Sequence, residues 1–216
     1  MKEVSGTDSA LSTGSRLPVH GQPDAGPARS PRVDATRNRG KVLDAAERLF
    51  ARDGVERVTM QAVAKEAGVG VGTLYRGFGD KAGLAMALLG ERERQFQELM
   101  ISGPPPLGPG AEPVERLTAF VDGYTELVAE QLELVLLSQT AAPGARFRSG
   151  AHALWRTHCR HLLGLAGAPS PEFRADALLA ALSGEMIAHW LTDQDRDLAE
   201  ITDALVGMAR ALASTK

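Results

Sequence analysis

The chain has 216 residues, 44% hydrophobic and 24% charged, enough for one or two domains with buried cores. A single cysteine, Cys159, excludes an intrachain disulfide framework and a thiolate-rich zinc site, and fits a reducing, cytoplasmic setting. No apolar run approaches the ~20 residues that span a bilayer, and no basic start with an apolar stretch signals a secretory leader.

The net charge of −3 hides a division along the chain. Residues 37–81 carry nine basic and six acidic side chains, a local +3, whereas residues 101–216 carry nine and fourteen. Phosphate neutralisation is local, so a modest basic footprint suffices for a small DNA-reading module inside an acidic chain.

Residues 1–33 are rich in Gly, Pro, Ser and Thr without apolar periodicity, and a disordered tail is expected there. Arg29, Arg32, Arg37 and Arg39 leave open a second reading, an arm whose arginines touch phosphate or the minor groove. Order is expected from about Asp34. Val42, Ala45, Ala46, Leu49 and Phe50 form one apolar stripe of a helix that stops at Asp53-Gly54. Thr59 is placed to cap a second helix, with Val63, Ala64 and Ala67 inward. Gly68-Val69-Gly70 gives a tight turn, and a short third helix runs from Val71 to Phe78. Asp80 can cap a fourth helix running to about Leu99, completing a unit at 34–100.

The Pro/Gly-rich segment 101–112 is expected to be a linker or disordered loop, followed by a helical domain at 113–216. Helices are expected there from Pro113 to about Val128, Leu132–Gln139, Arg146–Leu165, Glu172–Leu191 and Asp197–Ala213. No period-two pattern appears. The expected class is all-α, with about nine helices.

Two short helices joined at a glycine suit a helix-turn-helix, whose second helix enters the major groove. That pattern alone is common. The surrounding residues are more specific: Val42-Leu43-Asp44-Ala45-Ala46, Leu49-Phe50, Gly54, Val58-Thr59-Met60, Val63-Ala64, Ala67-Gly68-Val69, Gly72-Thr73-Leu74-Tyr75, Phe78 and Lys81. In residue types and spacing, Arg37–Leu89 resembles the DNA-binding domain of the TetR family of repressors. The resemblance implies an all-α homodimer, a palindromic DNA operator and a small-molecule effector that alters the spacing of two reading heads. It also implies roles for Thr59 (cap and phosphate), Gln61 (base contact), Val71, Gly72, Thr73 and Tyr75 (reading helix) and Lys81 (phosphate).

The sequence departs from the family pattern at Gly77, where histidine is common between Arg76 and Phe78. The reading helix is also sparse in polar groups, so readout is expected to lean on Val71 and Thr73 against thymine methyls. Arg76 and Gln61 remain for polar contact, and DNA shape supplies the rest.

In the carboxy-terminal half, Ala177, Ala181, Gly184 and Ala188, with Leu205 and Met208 on the last helix, suggest a dimer interface built from small contacts. Phe120, Tyr124, Trp155, His158, Met186 and Trp190 are candidate walls of a pocket for a hydrophobic effector. His152, His158, Cys159 and His161 invite a metal reading, but Cys159 points about 100 degrees from His158 on one helix, and no metal or cofactor is expected. No nucleophile elbow, phosphate loop or paired metal motif is present, so no enzymatic activity is expected. The alternative to a DNA-binding regulator is a helical interaction protein whose helix-turn-helix no longer touches DNA.

Overall fold

The computed structural model describes residues 31–140 and 143–214. Ten α-helices make up the fold, with no strand among the described residues. Most of the tail expected at 1–33, including Arg29, lies outside the described residues, and the first helix starts at Pro31 rather than near Asp34.

Helix α1 (Pro31–Asp53) buries Val42, Ala45, Ala46, Leu49 and Phe50 on the expected stripe. It ends at Gly54, whose φ of +78° is the left-handed conformation that suits glycine. Helix α2 (Met60–Ala67) starts where the Thr59 hydroxyl accepts the Ala62 N–H at 3.2 Å. Gly68, at φ +67°, turns the chain into α3 (Val71–Phe78). Helix α4 (Lys81–Ser102) is capped by Asp80, which accepts the Gly83 N–H at 2.8 Å. A Cβ at position 83 would stand 2.1 Å from the Phe78 carbonyl oxygen, so glycine there lets α3 and α4 meet tightly.

Helix α4 joins the head to the body: Leu84, Ala85, Leu88 and Leu89 are buried near its start, Phe96 and Met100 near its end. Residues 103–112 form a folded loop. Arg116 reaches back from α5 (Pro113–Glu130) to donate to the carbonyls of Met100 and Leu107, at 3.0 and 3.4 Å.

Against α5 pack α6 (Leu132–Thr140), α7 (Gly150–Leu165), α9 (Gly184–Ala188) and α10 (Leu198–Ala213), while α8 (Pro171–Ala181) packs on α7 and α10. A 3₁₀ turn at Arg146–Arg148 precedes α7, and Ser149 caps α7 through the His152 N–H. The single helix expected over Glu172–Leu191 is broken. The Ser183 hydroxyl accepts the Met186 N–H and restarts the chain as α9, which runs into a π-type turn at His189–Asp193. That interruption raises the count from nine helices to ten. No helix among the described residues is long and apolar enough to cross a membrane.

Candidate nucleic-acid interface and ligand cavity

Helix α3 divides sharply into two faces. Leu74 is fully buried, whereas Val71, Gly72, Thr73, Tyr75 and Arg76 are exposed. Val71 and Tyr75 present large apolar surfaces at 39% and 46% exposure, one helical turn apart. Core packing therefore holds α3 from behind and leaves its outer side open. Thr59 and Gln61 are exposed at the start of α2. Arg76 Nη2 donates to Thr73 Oγ1 at 3.3 Å, so two polar candidates of the reading helix bond to each other. Nothing lies within 4 Å of where a Cβ would sit at Gly77, so the departure from the histidine pattern bares the surface without filling a packing need. Arg39 of α1 lies over the Phe78 ring, 4.9 Å from its centroid, and braces the end of α3.

Lys81 is tied more closely to the fold than a free phosphate ligand would be. Its Nζ donates to the Glu56 carbonyl at 2.8 Å and stands 3.9 Å from the Glu56 carboxylate. One of the three ammonium protons thus holds the turn before α2.

In the body, a cavity of about 190 Å³ opens between α4, α5, α6, the turn before α7, and α7. Of the expected pocket walls, Tyr124 and Trp155 line it. Phe120 stands behind them, stacked on Tyr124 with centroids 5.5 Å apart, and is fully buried. His158 packs against Phe120, ring centroids 5.5 Å apart, and does not line the cavity. Its Nε2 is buried without a hydrogen-bond partner, and burial, with Arg116 nearby, pushes its pKa down to about 4. Met186 of α9 is half-buried and is not part of this wall.

Polar groups that the periodicity did not single out complete the cavity: Glu93, Gln139, Arg146 and His152. Glu93 was legible in principle. Leu89, Glu93, Phe96 and Met100 share one helical stripe, and a carboxylate on that stripe breaks its apolar pattern. It makes no hydrogen bond or ion pair with any described residue, and burial raises its pKa to about 7. The Tyr124 phenol is likewise held far above its ordinary range, by burial and then by the Glu93 charge. His152 is pushed down by burial and by Arg146.

Trp190 belongs elsewhere. With Ala181, Ile201, Ala204, Leu205 and Met208 it lines a mainly apolar groove on the face formed by α8, the π-type turn and α10. Three residues expected at a dimer interface, Ala181, Leu205 and Met208, meet there; Ala177 is exposed on α8 and Ala188 half-buried on α9. Gly184 is not on that face. It is buried against α6, where a Cβ would come within 2.8 Å of Val135 Cγ1, and its N–H donates to Gln139 Oε1 at 3.0 Å. Its small size serves a close helix approach inside the chain. Among the described residues, no group of three or more His, Cys, Asp or Glu side chains converges as a metal site. Cys159 is buried, and burial pushes its thiol well above the usual range.

Residues 42–88 match the bacterial regulatory proteins of the tetR family. An HTH-type transcriptional regulator of Staphylococcus aureus strain bovine RF122 / ET3-1 is 45% identical over 58 residues, 27% of this chain and 31% of the relative. Its counterpart in strain USA300 is 49% identical over 53 residues, 24% of this chain and 29% of the relative. The chain thus matches less than a third of the length of these curated relatives. The fold extends further. A TetR-family transcriptional regulator from Rhodococcus sp. superposes with a TM-score of 0.63 at 21% identity, over 83% of this chain and 100% of its own. A transcriptional regulator from Saccharomonospora viridis, in complex with choline, superposes with a TM-score of 0.65 at 19% identity, over 81% of this chain and 96% of its own. Residues 42–88 thus match the tetR family, and the helical fold of the whole chain is similar to that of these solved regulators.

Proposed function

We propose that this chain is a DNA-binding transcriptional regulator that reads a palindromic operator as a homodimer and is released from it by a small molecule, acting as a repressor in the cytoplasm. The observation that carries this reading is the division of α3, with Leu74 locked in the core and Val71, Thr73, Tyr75 and Arg76 turned outward beside the capped start of α2. Such a helix can enter the major groove without disturbing its own packing. In this reading residues 34–100 are the DNA head with its connecting helix, 101–112 the connection, and 113–216 the effector and dimerisation body. The groove lined by Trp190, Leu205 and Met208 is the surface that pairs two copies. The cavity lined by Tyr124 and Trp155 is the effector site, and the choline complex of the Saccharomonospora viridis regulator is in keeping with a small-molecule effector.

Selection of duplex DNA from a random pool by the full chain tests this. Enrichment of a two-fold symmetric site, bound with steep salt dependence, is the expected result. Failure to enrich any sequence would overturn it and favour a helical interaction protein, for which the bare surface around Gly77 is the supporting observation.

A further inference from the structure

The cavity contains a carboxylate that no described residue answers. Glu93 projects from α4 between Leu89 and Phe96, lines the cavity, and has no donor from any described residue. A desolvated carboxylate without a partner is costly, and folded chains retain such a group when something else supplies the counter-charge. The groups facing it from the other walls do not supply it. Helix α5 offers the neutral Tyr124 phenol, and α6 only Ser138 and Gln139. Helix α7 offers His152, whose charged form burial and Arg146 disfavour. Arg146, from the turn before α7, forms no ion pair with Glu93 and lies over the Phe147 ring, 4.6 Å from its centroid.

The rest of the lining is suited to a cation. Tyr124 and Trp155 meet edge to face, centroids 5.6 Å apart, so two aromatic side chains border the space next to the carboxylate. Ring faces attract organic cations, and a carboxylate beside them adds direct charge pairing. At about 190 Å³ the cavity is a little larger than the ~150 Å³ that admits benzene. That limits the ligand to a compact molecule.

We propose that this cavity binds a compact organic ammonium ion, its cationic nitrogen set against the Glu93 carboxylate and the rings of Tyr124 and Trp155. The proposal rests on reading the cavity as the effector site, and it names the ligand class. Glu93 and Lys81 lie on the same helix, so a cation drawn to Glu93 bears directly on the element that carries the head. The site requires Glu93 ionised. Because its carboxyl titrates near 7, affinity for a permanent cation rises about tenfold between pH 6 and pH 8.

The test is calorimetric titration of the DNA-free full chain at pH 8 with two cations and their neutral counterparts: benzylammonium against benzyl alcohol, and choline against 3,3-dimethylbutan-1-ol. At least one cation should bind about tenfold or more tightly than its counterpart. Glu93→Gln should abolish that preference, and binding should weaken toward pH 6. Glu93→Gln is nearly isosteric and removes an unpaired charge, so a cooperative melt at least as stable as the parent's certifies its fold. Neutral counterparts binding as well as the cations, a preference that survives Glu93→Gln, or no binding by either cation would each overturn the proposal. DNA is absent, so these outcomes are independent of operator selection: a chain that selects a palindrome yet ignores both cations is a regulator with a different effector.

Discussion

The main-chain N–H of Val55 donates to Oε2 of Glu133 across 3.0 Å, fastening the turn after α1 to the first turn of α6. The same helix supplies Val135, Ser138 and Gln139 to the cavity wall. One short helix therefore touches both the helix-turn-helix head and the cavity. That is a physical route for coupling, because a shift of α6 must move or break this bond.

Removing the carboxylate should loosen the turn. Glu133→Ala leaves the Val55 N–H without its protein acceptor, at a cost of about 1 kcal/mol. Amide exchange at Val55 should accelerate and the urea midpoint should fall, while Glu133→Gln, whose amide oxygen still accepts, should retain most of both. Unchanged exchange at Val55 in Glu133→Ala would show that the bond contributes nothing.

Adjacent residues of α3 should separate folding from DNA binding. Leu74 is 0% exposed, and Leu74→Ala should cost roughly 2–5 kcal/mol through the cavity it leaves. Tyr75 is 46% exposed, and Tyr75→Ala should change stability by about 0.5 kcal/mol or less while weakening binding to the selected operator. Urea melts and gel-shift titrations on the same two proteins measure both. A Tyr75→Ala protein that binds DNA normally would remove this ring from the reading surface.

The head was readable because local rules suffice there: Thr59 and Asp80 cap their helices, Gly68 takes the left-handed turn, and Leu74 falls on the inner face. The body was readable only as helices. Ser183 interrupts what looks like one continuous apolar pattern, because a hydroxyl can cap a new helix as readily as it rides on an old one. The small-residue spine around Gly184 gave no sign of which neighbour it approaches, and that neighbour is α6 of the same chain. Aromatic type alone could not distinguish the cavity wall, Tyr124 and Trp155, from the layer behind it, Phe120, or from the outer groove, Trp190. Such distinctions depend on which face each helix turns to its neighbours, information held by tertiary packing.

Lys81 should show two effects at once. Its bond to the Glu56 carbonyl secures the turn before α2, so Lys81→Ala should lower stability by about 1 kcal/mol. If its remaining donors meet phosphate, the same substitution also reduces the salt slope of operator binding by about one. Loss of stability with an unchanged slope would assign Lys81 to the fold alone.

Glu93 should make the protein less stable in mild alkali. Its folded pKa of about 7 lies above the unfolded value of 4.5, so its favourable contribution is complete below pH 4.5 and disappears as pH rises through 7. Glu93→Gln should therefore gain stability over the parent at pH 8, on the order of 2 kcal/mol, with the gain shrinking toward pH 5. Chemical melts at the two pH values measure the difference, and a pH-independent offset would show that the carboxyl is not desolvated.

His158 carries the opposite sign. Burial holds its folded pKa near 4, below the unfolded 6.5, so its contribution is present above 6.5 and is lost as pH falls through 4. The unpartnered Nε2 adds a cost at every pH, because a buried polar atom has given up water without a replacement. His158→Phe keeps a flat ring against Phe120 and removes both liabilities. The variant should gain about 1 kcal/mol at pH 7.5, and its advantage should widen by a further amount on the order of 2 kcal/mol by pH 4. Paired urea melts across that range would detect it. A constant difference between the two proteins would mean that the imidazole takes up its proton as readily in the folded chain as in the unfolded one.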